Sequence, residues 1–217
     1  MPADLPLGPI ILAALSIPAL LASDWQQWRV GRFLFKPLSA LAFLWLAVSA
    51  GAMDSSYGRW LLAGLAASAL GDLLLMPDNR FTFLAGLVAF LCGHLLYCVA
   101  FIAAGTDVQA VAIGAAPALV LVVVATRWLL PHLDAMMKVP VLAYILVIAV
   151  MLACAAGTWM QPVALLAITG AWGFALSDLA VARQQFVVAS RLNGLWGTPL
   201  YFGSQLLLAA SVLTLTP

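Results

Sequence analysis

The chain has 217 residues, of which 65% are hydrophobic and 8% charged, and its formal net charge at pH 7 is +1. Soluble globular domains carry about 25% charged residues, so this composition excludes an ordinary water-soluble domain and indicates an integral membrane protein. The near-zero net charge also argues against a nucleic-acid partner.

Eight apolar segments, separated by charged residues, proline and glycine, are long enough to cross a bilayer as helices. Runs of this length are too long for strands, and only helices or closed barrels satisfy the backbone in lipid. The sequence therefore predicts an all-α, polytopic membrane protein that forms one domain, residues 1–217. The predicted spans lie roughly at 6–23, 37–53, 59–76, 81–104, 108–130, 139–157, 162–182 and 198–215.

Positive charges fall almost entirely in alternate loops. The loops after spans one, three, five and seven are basic, whereas the opposite side carries Arg59 alone. Cytoplasmic loops of membrane proteins are rich in lysine and arginine, so both termini are expected to be non-cytoplasmic, in a bacterial inner membrane. The first segment lacks a preceding positive charge and is expected to be a retained span. The basic loops carry Arg29, Arg32, Lys36, Arg80, Arg127, Lys138, Arg183 and Arg191.

The first basic loop is unusual because residues 24–33 mix aromatic and basic side chains. Such a segment is typical of a stretch that lies along the membrane surface, with its aromatic rings at the level of the headgroups. We therefore expect residues 24–33 to follow the cytoplasmic interface, and the second span to begin at 37.

A short motif with a central aspartate occurs twice, as Ala-Leu-Gly-Asp-Leu in span three and Ala-Leu-Ser-Asp-Leu in span seven. It suggests a weak repeat of four helices plus four. The aspartates, Asp72 and Asp178, lie at similar depth, and ionisable residues inside spans usually have a function. Lys36 alone cannot neutralise both carboxylates, so one is expected to keep a proton. A protonated and an ionised carboxyl group together form an acid–base pair.

Further polar residues are predicted to line a polar cavity with the two aspartates. Four of them, Lys36, Tyr144, Tyr201 and Gln205, share the cytoplasmic layer with the aspartates, and His94 and Tyr97 lie deeper on span four. For Ser39, Tyr97 and Tyr144, taken singly, a structural hydrogen bond between helices is a simpler interpretation than a role in substrate binding. For His94 the structural and the functional interpretation are equally supported. The candidate substrate-binding residues are Lys36, Ser39, His94, Tyr97, Tyr144, Tyr201 and Gln205.

Other hydrolytic schemes do not fit the sequence. The chain has two histidines and no glutamate, which excludes a three-histidine zinc site and a His-Glu-x-x-His motif. Its three cysteines lack metal-binding or disulfide spacing. The aspartate pair suits hydrolysis through an oxocarbenium-like state, in which one group donates a proton and the other activates water.

Five motifs in order resemble the YhhN family of integral-membrane lysoplasmalogenases. They are Phe35-Lys-Pro-Leu-Ser39, Ser68-Ala-Leu-Gly-Asp72, Gly86-x-x-x-Phe-x-x-Gly-His94-x-x-Tyr97, Leu176-Ser-Asp-Leu179 and Tyr201-x-x-x-Gln205. The resemblance implies hydrolysis of the vinyl ether of a lysophospholipid, giving a fatty aldehyde and a glycerophosphoethanolamine or glycerophosphocholine. It also implies that the reaction needs no metal or organic cofactor, and that the partners are the lipid substrate and membrane lipids.

Two alternatives from other classes remain open at this point. Paired aspartates in a membrane also couple proton movement in transporters. Many transporters are built from internal repeats, and the motif that occurs twice is compatible with that architecture. A non-catalytic lipid-binding protein could keep the same fold, although it would not need the two carboxyl groups. Release of an aldehyde distinguishes the enzyme from both.

Overall fold

The computed structural model describes residues 6–77 and 79–215, and these residues form eight α-helices and no strand. The all-α prediction is therefore confirmed for the described part of the chain. The termini, for which a non-cytoplasmic location is expected, lie outside these ranges. The helices are α1 (Leu7–Trp25), α2 (Arg29–Ser49), α3 (Ser56–Leu74), α4 (Arg80–Ala104), α5 (Val108–Leu129), α6 (Ala135–Ala156), α7 (Ala164–Ala182) and α8 (Arg191–Ala210).

Seven of these helices, all except α3, are long and apolar enough to cross a membrane. Helix α3 has 19 residues, but Arg59, Asp72 and several glycines and serines dilute its apolar content. One face of α3, which includes Leu61, Leu65 and Ser68, is buried against the bundle, whereas Trp60, Leu70 and Leu73 are exposed. The protein is therefore a multi-pass membrane protein with seven strongly apolar helices and one more polar helix.

Consecutive helices pack as four hairpins, α1–α2, α3–α4, α5–α6 and α7–α8. Short connections join the helices, so successive helices run in opposite directions and the turns within the four hairpins lie at one end of the bundle. We call this the basic end, because it carries the arginines and lysines of the alternate loops. Because the positive charges fall in alternate loops and successive helices run in opposite directions, these charges lie at one end of the bundle.

Two helices begin earlier than the apolar segments indicate. Helix α2 begins at Arg29 and α8 at Arg191, about two turns before the predicted spans at 37 and 198. Residues 24–33 comprise the end of α1, the turn at 26–28 and the start of α2, so most of the segment is helical. Its place at the cytoplasmic interface stays a prediction. An apolar run marks the part of a helix in hydrocarbon, and arginines can extend that helix into the interface.

Small residues bring α3 and α4 close together. A Cβ atom on Gly64 would lie 2.5 Å from the ring of Tyr97, and one on Gly93 would lie 3.0 Å from Ser68 Oγ. Both distances are at or below the closest approach that a side chain tolerates, so glycine is required for this packing. The close contact fixes the register of the two helices that carry Asp72 and His94.

Candidate functional site

A cavity of about 1060 Å³ extends inward from the basic end, and all eight helices contribute to its wall. Its lining contains both aspartates and three of the predicted substrate-binding residues. The structure therefore brings together side chains that are up to 165 positions apart in the chain (201 − 36). The predicted residues on the wall are Lys36, Asp72, Tyr144, Asp178 and Tyr201.

The carboxylate of Asp72 contacts a cation and a hydroxyl group. Lys36 Nζ lies 3.3 Å from Asp72 Oδ1, and Tyr201 donates a hydrogen bond of 2.7 Å to Asp72 Oδ2. Asp72 is only 2% exposed, and the side chain of Lys36 is 15% exposed. A buried carboxylate is stable as an anion only when charged or hydrogen-bonding groups compensate it, and both are present here.

The carboxyl group of Asp178 contacts neutral partners instead. Tyr144 donates a hydrogen bond of 3.0 Å to Asp178 Oδ2, and His94 Nε2 lies 3.5 Å from the same oxygen. The side chain of Asp178 is 14% exposed, whereas His94 is fully buried. Within the described residues, no lysine or arginine forms an ion pair with Asp178.

The tautomer of His94 follows from its backbone contact. His94 Nδ1 lies 2.7 Å from the carbonyl oxygen of Phe90. A carbonyl oxygen only accepts, so Nδ1 carries a hydrogen and, in a neutral ring, Nε2 keeps its lone pair. Nε2 forms no hydrogen bond within the described residues and faces Asp178. A proton shared between Asp178 and His94 would remove the repulsion between these two acceptors.

Aromatic rings separate the partners of the two carboxyl groups. The fully buried ring of Phe174 stacks on His94 with centroids 4.3 Å apart, and it meets Tyr201 edge-on at 5.4 Å. Phe90 contacts both Phe174 and Tyr201 at about 6 Å. Among the described residues, Asp72 and Asp178 have no hydrogen-bond or ion-pair partner in common, although both lie on one cavity.

The remaining predicted residues lie off the cavity wall. Tyr97 donates a hydrogen bond of 2.7 Å to Gln205 Oε1 and lies 3.3 Å from Ser68, so it joins α3, α4 and α8 behind Tyr201. Gln205 Nε2 has no partner among the described residues. Ser39 Oγ lies 2.9 Å from the Phe35 carbonyl oxygen and 3.0 Å from Ser16 Oγ, and so connects α2 to α1.

Four charged residues at the entrance of the cavity were not among the predicted site residues. Arg29, Arg32 and Arg191 line it, together with Asp24, which lies 3.8 Å from Arg32. The sequence showed these arginines only as a sign of orientation. Their closeness to the cavity depends on α2 and α8 beginning early, which places their first turns at its entrance. Among the described residues, no three histidine, cysteine or acidic side chains are grouped to hold a metal ion.

Comparison with known proteins finds relatives along nearly the whole chain. Lysoplasmalogenase TMEM86B of Mus musculus is 31% identical over 218 residues, which cover 95% of this chain and 86% of that protein. The Rattus norvegicus protein of the same name is 32% identical, covering 95% of this chain and 83% of that protein.

A bacterial relative matches more closely over a shorter region. YhhN of Escherichia coli O6:H1, described as an uncharacterised membrane protein, is 46% identical over 79 residues, 36% of this chain. The match spans 34% of the length of that relative. No solved structure matches the chain. The sequence model of the YhhN family matches residues 31–212 and so includes all the motifs that gave the resemblance. The protein therefore belongs to the YhhN family.

Proposed function

We propose that the protein is a membrane hydrolase that cleaves the vinyl ether bond of a lysoplasmalogen. The observation that carries this proposal is one cavity on which two buried carboxyl groups have different partners, a lysine for Asp72 and a histidine for Asp178. The mammalian relatives named lysoplasmalogenase, similar over 95% of the chain, support the same reaction.

The proposed fold is a bundle of eight membrane-spanning helices with the basic end in the cytoplasm. Helix α3 is the eighth span, since it has 19 residues and packs along α4, whose 25 residues are long enough to cross a bilayer. Its polar residues are tolerated because they face the protein interior, where Asp72 and Ser68 are buried. The excess of arginine and lysine at the basic end supports the orientation.

Asp178 is the proposed general acid. Burial of a carboxylate without a cation is costly, so a group in this setting keeps its proton. His94 Nε2, 3.5 Å away, is placed to share that proton and to return it after the reaction. The stacked ring of Phe174 and the hydrogen bond to Phe90 hold the imidazole in one orientation.

Asp72 is the proposed carboxylate. Lys36 and the Tyr201 hydroxyl stabilise its negative charge, which leaves an anion on the cavity wall. An anion at this position stabilises developing positive charge in the substrate and accepts a proton from an attacking water. The two aspartates thus have opposite tasks, which is the arrangement that acid–base hydrolysis needs.

The reaction balances with water as the only co-reactant. Asp178 donates a proton to the β-carbon of the vinyl ether, and the double-bond electrons form the new C–H bond, leaving an oxocarbenium ion. Water adds to the α-carbon while Asp72 takes one of its protons. As the hemiacetal C–O bond to the glycerol breaks, Asp72 gives its proton to the glycerol oxygen, and the hemiacetal hydroxyl loses its proton to Asp178, directly or through His94 Nε2. A fatty aldehyde is released, and both carboxyl groups return to their starting states.

The entrance of the cavity fits a phospholipid headgroup. Arg29, Arg32 and Arg191 supply guanidinium groups that bind phosphate well, and Lys36 is already paired with Asp72. A substrate whose phosphate lies at the entrance places its glycerol and ether oxygen deeper, toward the carboxyl groups. This arrangement supports a lysophospholipid as the substrate class.

The decisive experiment measures fatty aldehyde released from a lysoplasmalogen by the purified protein in detergent. We expect wild type to release aldehyde, and Asp72→Asn and Asp178→Asn to lose about a thousandfold or more of kcat, as is usual when an essential acid or base is removed. The control is Asp107→Asn, which keeps its cap on the first turn of α5 far from the cavity.

Full activity in either cavity variant would contradict the proposed roles. Absence of aldehyde from a folded wild-type protein would reject vinyl ether hydrolysis and favour the transporter alternative. Thermal unfolding of each variant, measured in the same detergent, separates a catalytic loss from a folding defect.

A further inference from the structure

The cavity has two chemically different walls. The beginnings of α2 and α8 and the segment that follows α7 contribute charged and amide side chains, among them Arg29, Gln184 and Arg191. Helices α5 and α6 form the opposite wall, where every residue except Tyr144 is aliphatic. We call this second surface the aliphatic wall, and its central residues are Leu121, Val122, Ala125, Ile145, Ile148 and Ala149.

The contacts of the two carboxyl groups correspond when each helix is matched with the helix four places away in the chain. In this matching α3 corresponds to α7, α2 to α6 and α8 to α4. Asp72 on α3 contacts α2 and α8 through Lys36 and Tyr201. Asp178 on α7 contacts α6 and α4 through Tyr144 and His94. The helix packing follows the same matching, because α2 packs on α3 and α8 and α6 packs on α7 and α4.

Helix α5 breaks this correspondence. Its counterpart α1 packs on both α2 and α8. If α5 matched α1 in its packing, it would pack on both α6 and α4. It packs along α6 but makes no comparable contact with α4. Only Ala118, Ala125 and Leu129 of α5 are buried, whereas α1 buries five residues. Helix α5 is therefore less enclosed by neighbouring helices than α1 is.

We propose that the aliphatic wall binds the hydrocarbon chain of a single-chain lipid, which enters from the membrane beside α5, the less enclosed of the two corresponding helices. This inference rests on the proposed function for the identity of the lipid as a lysophospholipid. The wall is continuous with the cavity that holds the carboxyl groups and offers no polar partner beyond Tyr144. A hydrocarbon chain is the part of the substrate that gains most from such a surface.

The first test is the dependence of turnover on chain length. Leu121 and Val122 are half-buried on the wall, so Leu121→Trp and Val122→Trp would place an indole in the space for the chain. We expect kcat/KM for a sixteen-carbon substrate to fall by about tenfold or more, with less than about a twofold change for an eight-carbon substrate. The matched control is Val124→Trp, because Val124 is 59% exposed on the same helix and lies off the cavity.

An equal loss for both chain lengths, or the same loss in the Val124→Trp control, would overturn the inference. So would an unchanged chain-length profile in both wall variants. Thermal unfolding of all three variants shows whether the added indole has disturbed the fold, and Leu121→Phe provides a smaller obstruction if tryptophan does.

The second test needs no turnover. A 1-O-alkyl lysophosphatidylcholine has no vinyl ether, and a diazirine at the end of its chain labels whatever lies beside it on irradiation. We expect label on peptides of α5 and α6, and its loss in Leu121→Trp and in the presence of excess unlabelled lysolipid. Equal label on all lipid-facing helices, or equal competition by a two-chain phospholipid, would overturn the inference.

The two tests separate failure of the chain site from failure of the proposed function. Label on α5 and α6 without any aldehyde release would reject the hydrolase and leave the chain site standing. Aldehyde release with the label on other helices would reject the chain site alone.

Discussion

Asp72 and Asp178 each contact one side chain from the preceding helix and one from a helix in the other half of the chain. For Asp72 these contacts are a lysine ammonium at 3.3 Å and a tyrosine hydroxyl at 2.7 Å. For Asp178 they are a tyrosine hydroxyl at 3.0 Å and an imidazole nitrogen at 3.5 Å. The two sites share a plan of helix packing and differ in whether a permanent cation is present.

In the proposed mechanism this difference gives the two copies of the motif opposite chemical states. Lys36 would stabilise the carboxylate form of Asp72, whereas the described partners of Asp178, Tyr144 and His94, carry no permanent charge and would favour its protonated form. The predicted repeat of four helices plus four stays a prediction, and the matching contacts are an argument for it. Six substitutions, grouped into four tests in order of decreasing expected effect, examine the comparison between the Asp72 and Asp178 sites.

The largest effect after the aspartates themselves should come from His94→Gln. The change removes the proton-sharing partner of Asp178 and should lower kcat by about a hundredfold or more, within the usual range for acid–base catalysis. The measurement is aldehyde release under saturating substrate. The control is His132→Gln, since His132 is exposed, lies off the cavity, and has its Nδ1 3.0 Å from the Trp128 carbonyl oxygen. Wild-type kcat in His94→Gln would show that Asp178 acts without the imidazole.

Lys36→Gln should lower kcat by about a hundredfold, because Asp72 would lose its cation and take up a proton. Both carboxyl groups would then be in the same state, and the difference between the two sites would disappear. Lys36→Arg keeps the charge and should recover much of the activity. If Lys36→Gln and Lys36→Arg lose activity equally, the shape of the lysine rather than its charge is what matters.

Tyr201 donates a hydrogen bond to Asp72 and Tyr144 donates one to Asp178, so removal of each hydroxyl group compares the charge of the two carboxyl groups. Hydrogen bonds to charged groups contribute about 1.5–3 kcal/mol and those to neutral groups about 0.5–1.5 kcal/mol. We therefore expect Tyr201→Phe to lower kcat/KM by about ten- to a hundredfold and Tyr144→Phe by about two- to tenfold.

The control for both tyrosine variants is Tyr57→Phe, which removes a buried hydroxyl that contacts Ser211, 2.6 Å away and off the cavity. It should reduce thermal stability and leave kcat/KM unchanged. A larger loss in Tyr144→Phe than in Tyr201→Phe would reverse the assignment of acid and carboxylate.

The smallest effect should come from substitution of the arginines at the entrance, which add positive charge to the wall of the cavity. Arg29→Gln and Arg191→Gln should each raise KM for a lysoplasmalogen by about two- to tenfold, because each loses a charged contact to phosphate. Neither should change turnover of an alkenylglycerol, which has the vinyl ether but no phosphate. Arg127→Gln is the control, since Arg127 lies at the basic end off the cavity. Equal effects on both substrates would exclude a role in binding the headgroup.

Much of the fold follows from the sequence by itself. Long apolar runs specify helices in a membrane, and the alternation of charged loops fixes the direction of each helix and hence the depth of its polar residues. That reasoning grouped six residues in one layer. Five of them lie on one cavity, whereas the sixth, Gln205, lies off its wall; the five are Lys36, Asp72, Tyr144, Asp178 and Tyr201. It failed at the helix ends, because hydropathy does not detect a helix that continues into the interface.

Only the tertiary structure decided which partners each aspartate meets. Helical periodicity assigns a side chain to a face, but the rotation of each helix against its neighbours depends on close packing such as that of Gly64 on Tyr97. That packing gives the lysine to Asp72 and the histidine to Asp178, and it turns Ser39 toward α1. The position of the entrance arginines on the cavity and the weak packing of α5 on α4 also came from the tertiary structure. Each depends on distances between helices that are remote in sequence.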